Sequence, residues 1–259
     1  MLKIGVCQVA GYKSPFESLE KIEYFCNKAK KYHIDLIVFP EMAMGVIDKA
    51  NTPKLLSSNY STYVTKLIDI SKKNKIDIIT TAWEPEREKA YNSAIFVKND
   101  GSTSILYRKL HLFDSLGYNE SNLVLPGDKP PEIINYMGFK ISVSICYDLR
   151  FPELYRYQAK NGTEISIVCA AWYMGKYKED HFITLLKARA IENTMYVLCP
   201  NLCGNNFCGR SSIFDPFGIQ LCDAGEDENL IYTCFQKERL KKIKKNLPCL
   251  KHTKKDIFT

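Results

Sequence analysis

Apolar and polar residues alternate from Lys3 to Val9, and a period of two over that length predicts a strand with one buried face. The pattern then changes. Pro15 to Tyr32 reads as a helix, with Ser14 placed as its cap and Pro15 at the first helical position. Asp35 to Phe39 is a short apolar strand that stops at Pro40-Glu41. Tyr60 to Lys73 reads as a helix and Ile76 to Thr81 as a strand. Tyr91 to Val97 and Ser104 to Arg108 flank Asn99-Asp100-Gly101, a hairpin turn. Gly117 to Pro131 is irregular. Ile133 to Tyr136 and Lys140 to Cys146 flank a second turn at Met137-Gly138-Phe139.

Beyond Cys146 the chain turns helical over Leu149 to Tyr157, with Asn161-Gly162 as a C-cap. Ile165 to Cys169 is a strand. Lys178 to Thr194 is the best helix of the chain, with Phe182, Leu185, Leu186 and Ile191 at helical spacing. Tyr196 to Cys199, Ser211 to Phe214, Ile219 to Cys222 and Leu230 to Phe235 are further strands, and Asp215-Pro216-Phe217-Gly218 is a turn. Strands alternate with helices and then give way to hairpins, so the order predicts a mixed α/β layered domain.

Composition narrows this picture. With 259 residues, 46% of them hydrophobic, the chain can build one large domain with a proper core. No apolar run approaches bilayer-spanning length, and the N-terminal pattern is too short for a signal peptide. A soluble, cytoplasmic protein is expected. The ten cysteines are scattered, several within strand-like runs, and read as reduced and mostly buried thiols. Of the 36 basic and 29 acidic residues, nine and two lie in Gln236 to Thr259, so the whole net charge of +7 belongs to this C-terminal tail. Lys241 to Lys245 read as one solvated helix face, and the remainder is not a nucleic-acid surface.

Chemistry concentrates at three strand ends. Glu41 follows Ile37-Val38-Phe39-Pro40, Lys109 follows Ile105-Leu106-Tyr107-Arg108, and Cys146 follows Val143-Ser144-Ile145. Strand C-termini line the crevice where ligands bind in open α/β sheets. Each residue alone has an ordinary reading: a solvated turn carboxylate, a surface lysine, a small buried hydrophobe. The thiol is the most telling, because a helix start offers unpaired N–H groups and partial positive charge. Such a place lowers a thiol's pKa and can hold an oxyanion.

The full strings Val38-Phe39-Pro40-Glu41, Tyr107 to Asp114 (YRKLHLFD) and Ser144 to Leu154 (SICYDLRFPEL) closely resemble the carbon–nitrogen hydrolase (nitrilase) superfamily. Pro126-Gly127-Asp128, Leu185 to Asn193 (LLKARAIEN) and Asp215 to Gly218 extend the match over nearly the whole chain. The resemblance implies a four-layer αββα sandwich paired into homodimers through extended sheets. It also implies a catalytic triad of Glu41, Lys109 and Cys146, with Glu120 in the place of the family's second glutamate. In that scheme Cys146 attacks an amide carbonyl, Glu41 is the base, and Lys109 with the backbone N–H of Tyr147 holds the oxyanion. No metal or cofactor is needed. The spacing of Cys199, Cys203 and Cys208 is poor for zinc.

Trp172, Tyr173 and Tyr147 are candidates for the substrate pocket, with Met42 and Met44 as further possibilities. His111 is expected to brace the Lys109 loop, and Asp148 and Arg150 to form buried ion-pair scaffolding. Within the superfamily the chain looks most like the Nit-type branch of amidases, which includes ω-amidases and deaminated-glutathione amidases. The expected partner is a small linear carboxamide. The alternatives are an N-carbamoyl amide hydrolase and a non-catalytic dimeric scaffold of the same fold; nucleic acid and membrane are not expected partners.

Overall fold

A computed structural model describes residues 1–115 and 117–254. The last five residues of the basic tail lie outside the described residues. Among those described, two large sheets lie face to face. The first has nine strands, with Leu2–Ala10, Leu36–Val38, Asp77–Glu86, Lys89–Val97 and Thr103–Arg108 adjacent in that order and Asn229–Phe235 antiparallel to Leu2–Ala10. The second has six, with Phe139–Ile145, Ile165–Cys169 and Tyr196–Cys199 parallel at its centre.

Alternation along each strand builds the layers. Ile4 and Val6 point between the sheets with Leu36, Val38, Ile141, Val143, Ile145, Ile165, Ile167 and Leu198. Cys7 and Val9, with Ile37 and Ile78, point outward and meet Ile22, Phe25 and Cys26 of the Pro15–Lys30 helix and Leu67 and Ile70 of the Tyr60–Asn74 helix. On the other side, Val168, Val197 and Phe214 meet Leu154 and Tyr155 of the Pro152–Lys160 helix and Phe182, Leu186 and Ala190 of the Lys178–Asn193 helix. Three apolar interfaces therefore stack four layers, αββα, as the resemblance implied. Each fully buried aliphatic side chain in them contributes about 1.5–3 kcal/mol.

Local signals explain the element limits. Ser14 Oγ accepts from Glu17 N at 3.2 Å, capping the first helix behind Pro15. The helix around Lys178 ends at Thr194, whose φ of +45° breaks it. Ile191, read as part of that helix's apolar stripe, is instead 39% exposed; Ala190 takes the inward position. The run after Cys146 begins as a 3-10 helix over Cys146–Arg150, and α-helix starts only at Pro152. Elements outside the sequence-based assignment include a short helix at Pro53–Ser57 and a hairpin of Leu202–Gly204 with Phe207–Cys208. The stretch read as irregular also holds order, with Tyr118–Asn119 paired to Asp114–Ser115, a 3-10 turn at Glu120–Asn122 and Val124–Leu125 paired to the Lys89–Val97 strand. The C-terminal helix Lys237–Asn246 buries Leu240 and Ile243 and leaves Lys241, Lys242 and Lys245 exposed. No helix among the described residues is long and apolar enough to cross a membrane.

Candidate active site

Glu41 stands where the first sheet meets the second. Its strand, Leu36–Val38, runs on through Phe39, whose N–H donates to Ile79 O at 2.9 Å. Glu41 N then donates to Ala170 O at 3.2 Å, just past the end of the Ile165–Cys169 strand. The carboxylate is 1% exposed. Its Oε1 accepts from Lys109 Nζ at 2.9 Å and Asn92 Nδ2 at 2.8 Å, and its Oε2 from Ala171 N at 3.2 Å.

Lys109 is pinned through its backbone. Its N–H donates to Asn92 O at 2.9 Å, and its carbonyl accepts from Gly127 N at 2.8 Å. This accounts for the Pro126-Gly127 string. A Cβ at position 127 would stand 2.3 Å from Arg108 O, so only glycine lets the two backbones meet. The Lys109 ammonium donates to Glu120 Oε1 and Oε2 at 3.1 and 2.9 Å as well as to Glu41. Glu120 opens the 3-10 turn Glu120–Asn122 and also accepts from Phe113 N at 2.7 Å. Lys109 and Glu120 are each 2% exposed.

Cys146 follows the Phe139–Ile145 strand with φ of +46°, a left-handed conformation that costs a non-glycine residue of order 1–3 kcal/mol. Its thiol lines the same cleft as the Glu41 carboxylate, whose negative charge acts on it. The structure thus brings Glu41, Lys109, Glu120 and Cys146, from four separate stretches of chain, to one solvent-open cleft of about 540 Å³.

Electrostatics inside the cleft differ in one respect from the expectation for the thiol. Burial pushes the Cys146 thiol well above the ordinary cysteine value, and the negative charge of Glu41 adds to this, outweighing Lys109. The strand-to-helix turn does not compensate for desolvation, so the resting sulfur is a protonated thiol. Burial also raises Glu41 above the usual carboxylate range, against the pull of Lys109. Burial alone would lower Lys109, but the carboxylates of Glu41 and Glu120 overcome it and hold the ammonium well above the ordinary lysine value.

All three candidate aromatics line the cleft. Trp172 does so while packed in the core: it is 5% exposed, lies 5.3 Å from the Phe182 ring and donates Nε1–H to Lys178 O at 2.9 Å. Tyr173 is half-buried and stacks on Phe207 at 4.8 Å. Tyr147 meets Phe113 edge-on at 5.0 Å. Met42 lines the cleft too; Met44 is fully buried in the core against the first helices.

Of Asp148 and Arg150, each expected in buried ion-pair scaffolding, only Asp148 takes such a place. Asp148 is fully buried and holds His111 Nδ1 at 2.7 Å, so His111 does brace the segment after Lys109. Arg150 turns to the cleft, its guanidinium 4.7 Å from the Trp172 ring centre, and makes no ion pair among the described residues. Lys178 shares the cleft wall. Sequence reasoning gave Arg150 a different role and missed Lys178 and Asn92. The available signal for Asn92 was a polar residue interrupting the Lys89–Val97 strand, where it is 1% exposed. Arg189, in the string Leu185 to Asn193, donates Nε–H and an NH2 hydrogen to Leu149 O at 3.1 and 2.8 Å and secures the turn that follows the thiol. The ten cysteines are free, and Cys199, Cys203 and Cys208 form no metal-binding cluster among the described residues.

A family model described as carbon-nitrogen hydrolase matches residues 3–245. The chain belongs to the carbon-nitrogen hydrolase family. This carbon-nitrogen hydrolase is 34% identical over 229 residues to the deaminated glutathione amidase of Escherichia coli O157:H7, with 86% of each chain covered. It is 29% identical over 252 residues to the 2-oxoglutaramate amidase of Bacillus subtilis strain 168, with 95% of each covered. Its fold matches the crystal structure of a carbon-nitrogen hydrolase from Helicobacter pylori G27 with a TM-score of 0.92 at 23% identity, covering 99% of this chain and 97% of that one.

Proposed function

We propose that this hydrolase is an amidase that cleaves a small linear carboxamide to a carboxylate and ammonia through a thioester on Cys146. The observation that carries this reading is the Glu41–Lys109–Glu120 chain of buried ion pairs in the cleft that the Cys146 thiol also lines. A buried ammonium between two carboxylates is expensive to assemble, and breaking such an arrangement typically costs about 3–5 kcal/mol. It gains a purpose where charge appears and moves during a reaction.

Glu41 takes the proton as the Cys146 sulfur attacks the amide carbon. Lys109 and the Tyr147 N–H hold the developing oxyanion, one such donor being worth roughly 3 kcal/mol in the transition state. Two of the three short contacts of Lys109 go to Glu120, so one hydrogen can turn to the oxyanion while Glu120 stays paired. Glu41 returns the proton to the nitrogen, the C–N bond breaks and ammonia leaves. Water, deprotonated by Glu41, attacks the thioester; the C–S bond breaks, the acid departs and the thiol recovers its proton. Splitting amide cleavage in this way replaces one hard step with two easier ones. Because the resting thiol is neutral, Glu41 acts during the attack itself, and no thiolate has to be stored.

The substrate class is read as a 2-oxo-acid amide or a deaminated-glutathione-like amide. Two features support this: the relatives bearing those names, and Arg150 and Lys178 on the cleft wall, which offer an anionic substrate tail a counter-charge. We read the chain as one catalytic domain, since Leu240 of the C-terminal helix packs into the core between the sheets. Pairing into homodimers is supported by exposed Phe217, Ile219 and Leu221 at the edge of the second sheet, and a reducing, cytoplasmic setting by the free thiols. An ammonia assay across an amide panel, with Cys146→Ala as control, tests the reading. Release by the wild type alone is expected; equal release by the mutant would remove the mechanism.

A further inference from the structure

Asp148 is two residues past the nucleophile, has no exposed surface and takes no part in the steps above. Its two oxygens accept four hydrogen bonds. Oδ2 accepts from Ile145 N at 3.0 Å and from Tyr107 Oη–H at 2.9 Å. Oδ1 accepts from His111 N at 3.2 Å and His111 Nδ1 at 2.7 Å, the latter set by the tautomer that places hydrogen on Nδ1. Tyr107 Oη in turn accepts from Leu110 N at 3.0 Å. The His111 ring is fixed from its other side by stacking on Phe151, 3.6 Å between centres and 8° between planes.

The partners of this one carboxylate fall into two groups. Ile145 is the residue before Cys146, whose backbone is left-handed. Tyr107 and His111 flank Lys109 on both sides. The first group belongs to the second sheet, the other to the first sheet and the segment leaving it. We propose that Asp148 is a positioning residue for the hydrolytic reaction: it ties the turn that presents the Cys146 sulfur to the segment that presents the Lys109 ammonium, with His111 and Tyr107 as its clamps. The reading rests on the amidase function above for its reaction, but its geometry stands without it. A carboxylate can accept from all four donors at once. An amide offers one accepting oxygen, so Asp148→Asn leaves donors facing an NH2 group on one side of the clamp. The two sheets then lose their fixed distance where sulfur and ammonium must meet a single carbonyl, and a shift of about 1 Å there can cost about 100-fold in rate.

The test compares wild type, Asp148→Asn, Tyr107→Phe and His111→Gln. Each is assayed for ammonia release on the amide turned over best by the wild type and normalised to Cys146 content by active-site alkylation. Thermal unfolding is followed in parallel. A positioning role predicts that kcat per folded site falls at least tenfold in Asp148→Asn and several-fold in Tyr107→Phe and His111→Gln, with KM within about twofold of wild type. A merely structural role predicts a lower unfolding temperature with native kcat in the molecules that remain folded, and that result overturns the proposal. If Asp148→Asn does not fold, the two clamp variants decide by the same criteria. If the wild type turns over no amide, the amidase reading fails by itself. The rate of Cys146 alkylation then serves as readout: slower labelling in the variants supports the clamp and an unchanged rate overturns it.

Discussion

Ionisable residues gather at both ends of the central strands, but they are used differently. At the C-terminal ends Glu41, Lys109 and Glu120 are almost wholly buried and satisfy one another. At the opposite end a larger cavity of about 880 Å³ is lined by Lys30, His33, Asp35, Lys75, Asp77 and Tyr136. There the carboxylates serve the backbone: Asp35 Oδ2 accepts from Lys3 N at 2.8 Å and Asp77 Oδ1 from Asn99 N at 2.7 Å. Lys30, His33 and Lys75 are exposed. Cavity size favours the second site, whereas mutual dependence of buried charges favours the first. A reaction centre needs groups whose protonation each depends on the next. At the second cavity burial and the Asp77 and Asp35 carboxylates push the Tyr136 hydroxyl up, but the cations there are exposed and no nucleophile stands among the described residues that line it.

The contrast can be broken most severely at the thiol. Cys146→Ala should lower ammonia release by at least about 10⁴-fold while leaving the fold intact, a loss of the size seen when a covalent nucleophile is removed. Lys109→Ala should follow, with activity down roughly 10²–10³-fold from the lost oxyanion donor. It should also lower stability, by about 3–5 kcal/mol, because Glu41 and Glu120 are left buried without their counter-charge; denaturant unfolding measures this part. Asn92→Ala removes one donor from the same Glu41 oxygen that Lys109 holds. A hydrogen bond to a charged group is worth about 1.5–3 kcal/mol, so activity should fall by one to two orders of magnitude in steady-state assays. At the other cavity, Lys75→Ala should leave kcat and KM unchanged; a loss there would erase the distinction between the two ends.

The pH dependence sharpens the same contrast. Glu41 works as a carboxylate base, and its burial raises its pKa, so activity should be lost on acidification at a higher pH than for an ordinary carboxylate. Lys109 must stay protonated, and its two carboxylates raise its pKa, so its loss sets in only above the ordinary lysine range. The expected profile of kcat/KM rises through the Glu41 limb to a broad plateau. A profile that rises with the titration of an unperturbed thiol would instead assign the proton transfer to Cys146 alone.

Much of this was legible in the sequence because strand ends leave sharp local marks. Alternation ending at Ile145, and short apolar runs ending at Pro40 and Arg108, placed Cys146, Glu41 and Lys109 at the edge of the sheets. Family strings supplied the layer order and pointed to Glu120, which the structure places against the Lys109 ammonium. What stayed hidden depends on three-dimensional approach. Gly127 stands in the sequence only as part of a family string, and the Arg108 carbonyl packed against it supplies the reason for a glycine. Asn92 reads as a break in a strand unless its neighbour across the core is known to be Glu41. Arg150 lies in the same string as Asp148 yet faces the cleft over Trp172, an orientation set by the 3-10 turn and not by residue type. The thiol pKa was misjudged for a related reason: the helix start is visible in sequence, but the depth of burial that outweighs it is not.

The central claim is a covalent intermediate on Cys146, and partitioning with hydroxylamine tests it most directly. With the best amide from the panel, ammonia, carboxylate and hydroxamate are measured over a range of hydroxylamine concentrations. The account predicts that the wild type makes hydroxamate at the expense of carboxylate, without slowing ammonia release, and that Cys146→Ala makes neither. Carboxylate as the sole acyl product at every hydroxylamine concentration would contradict it.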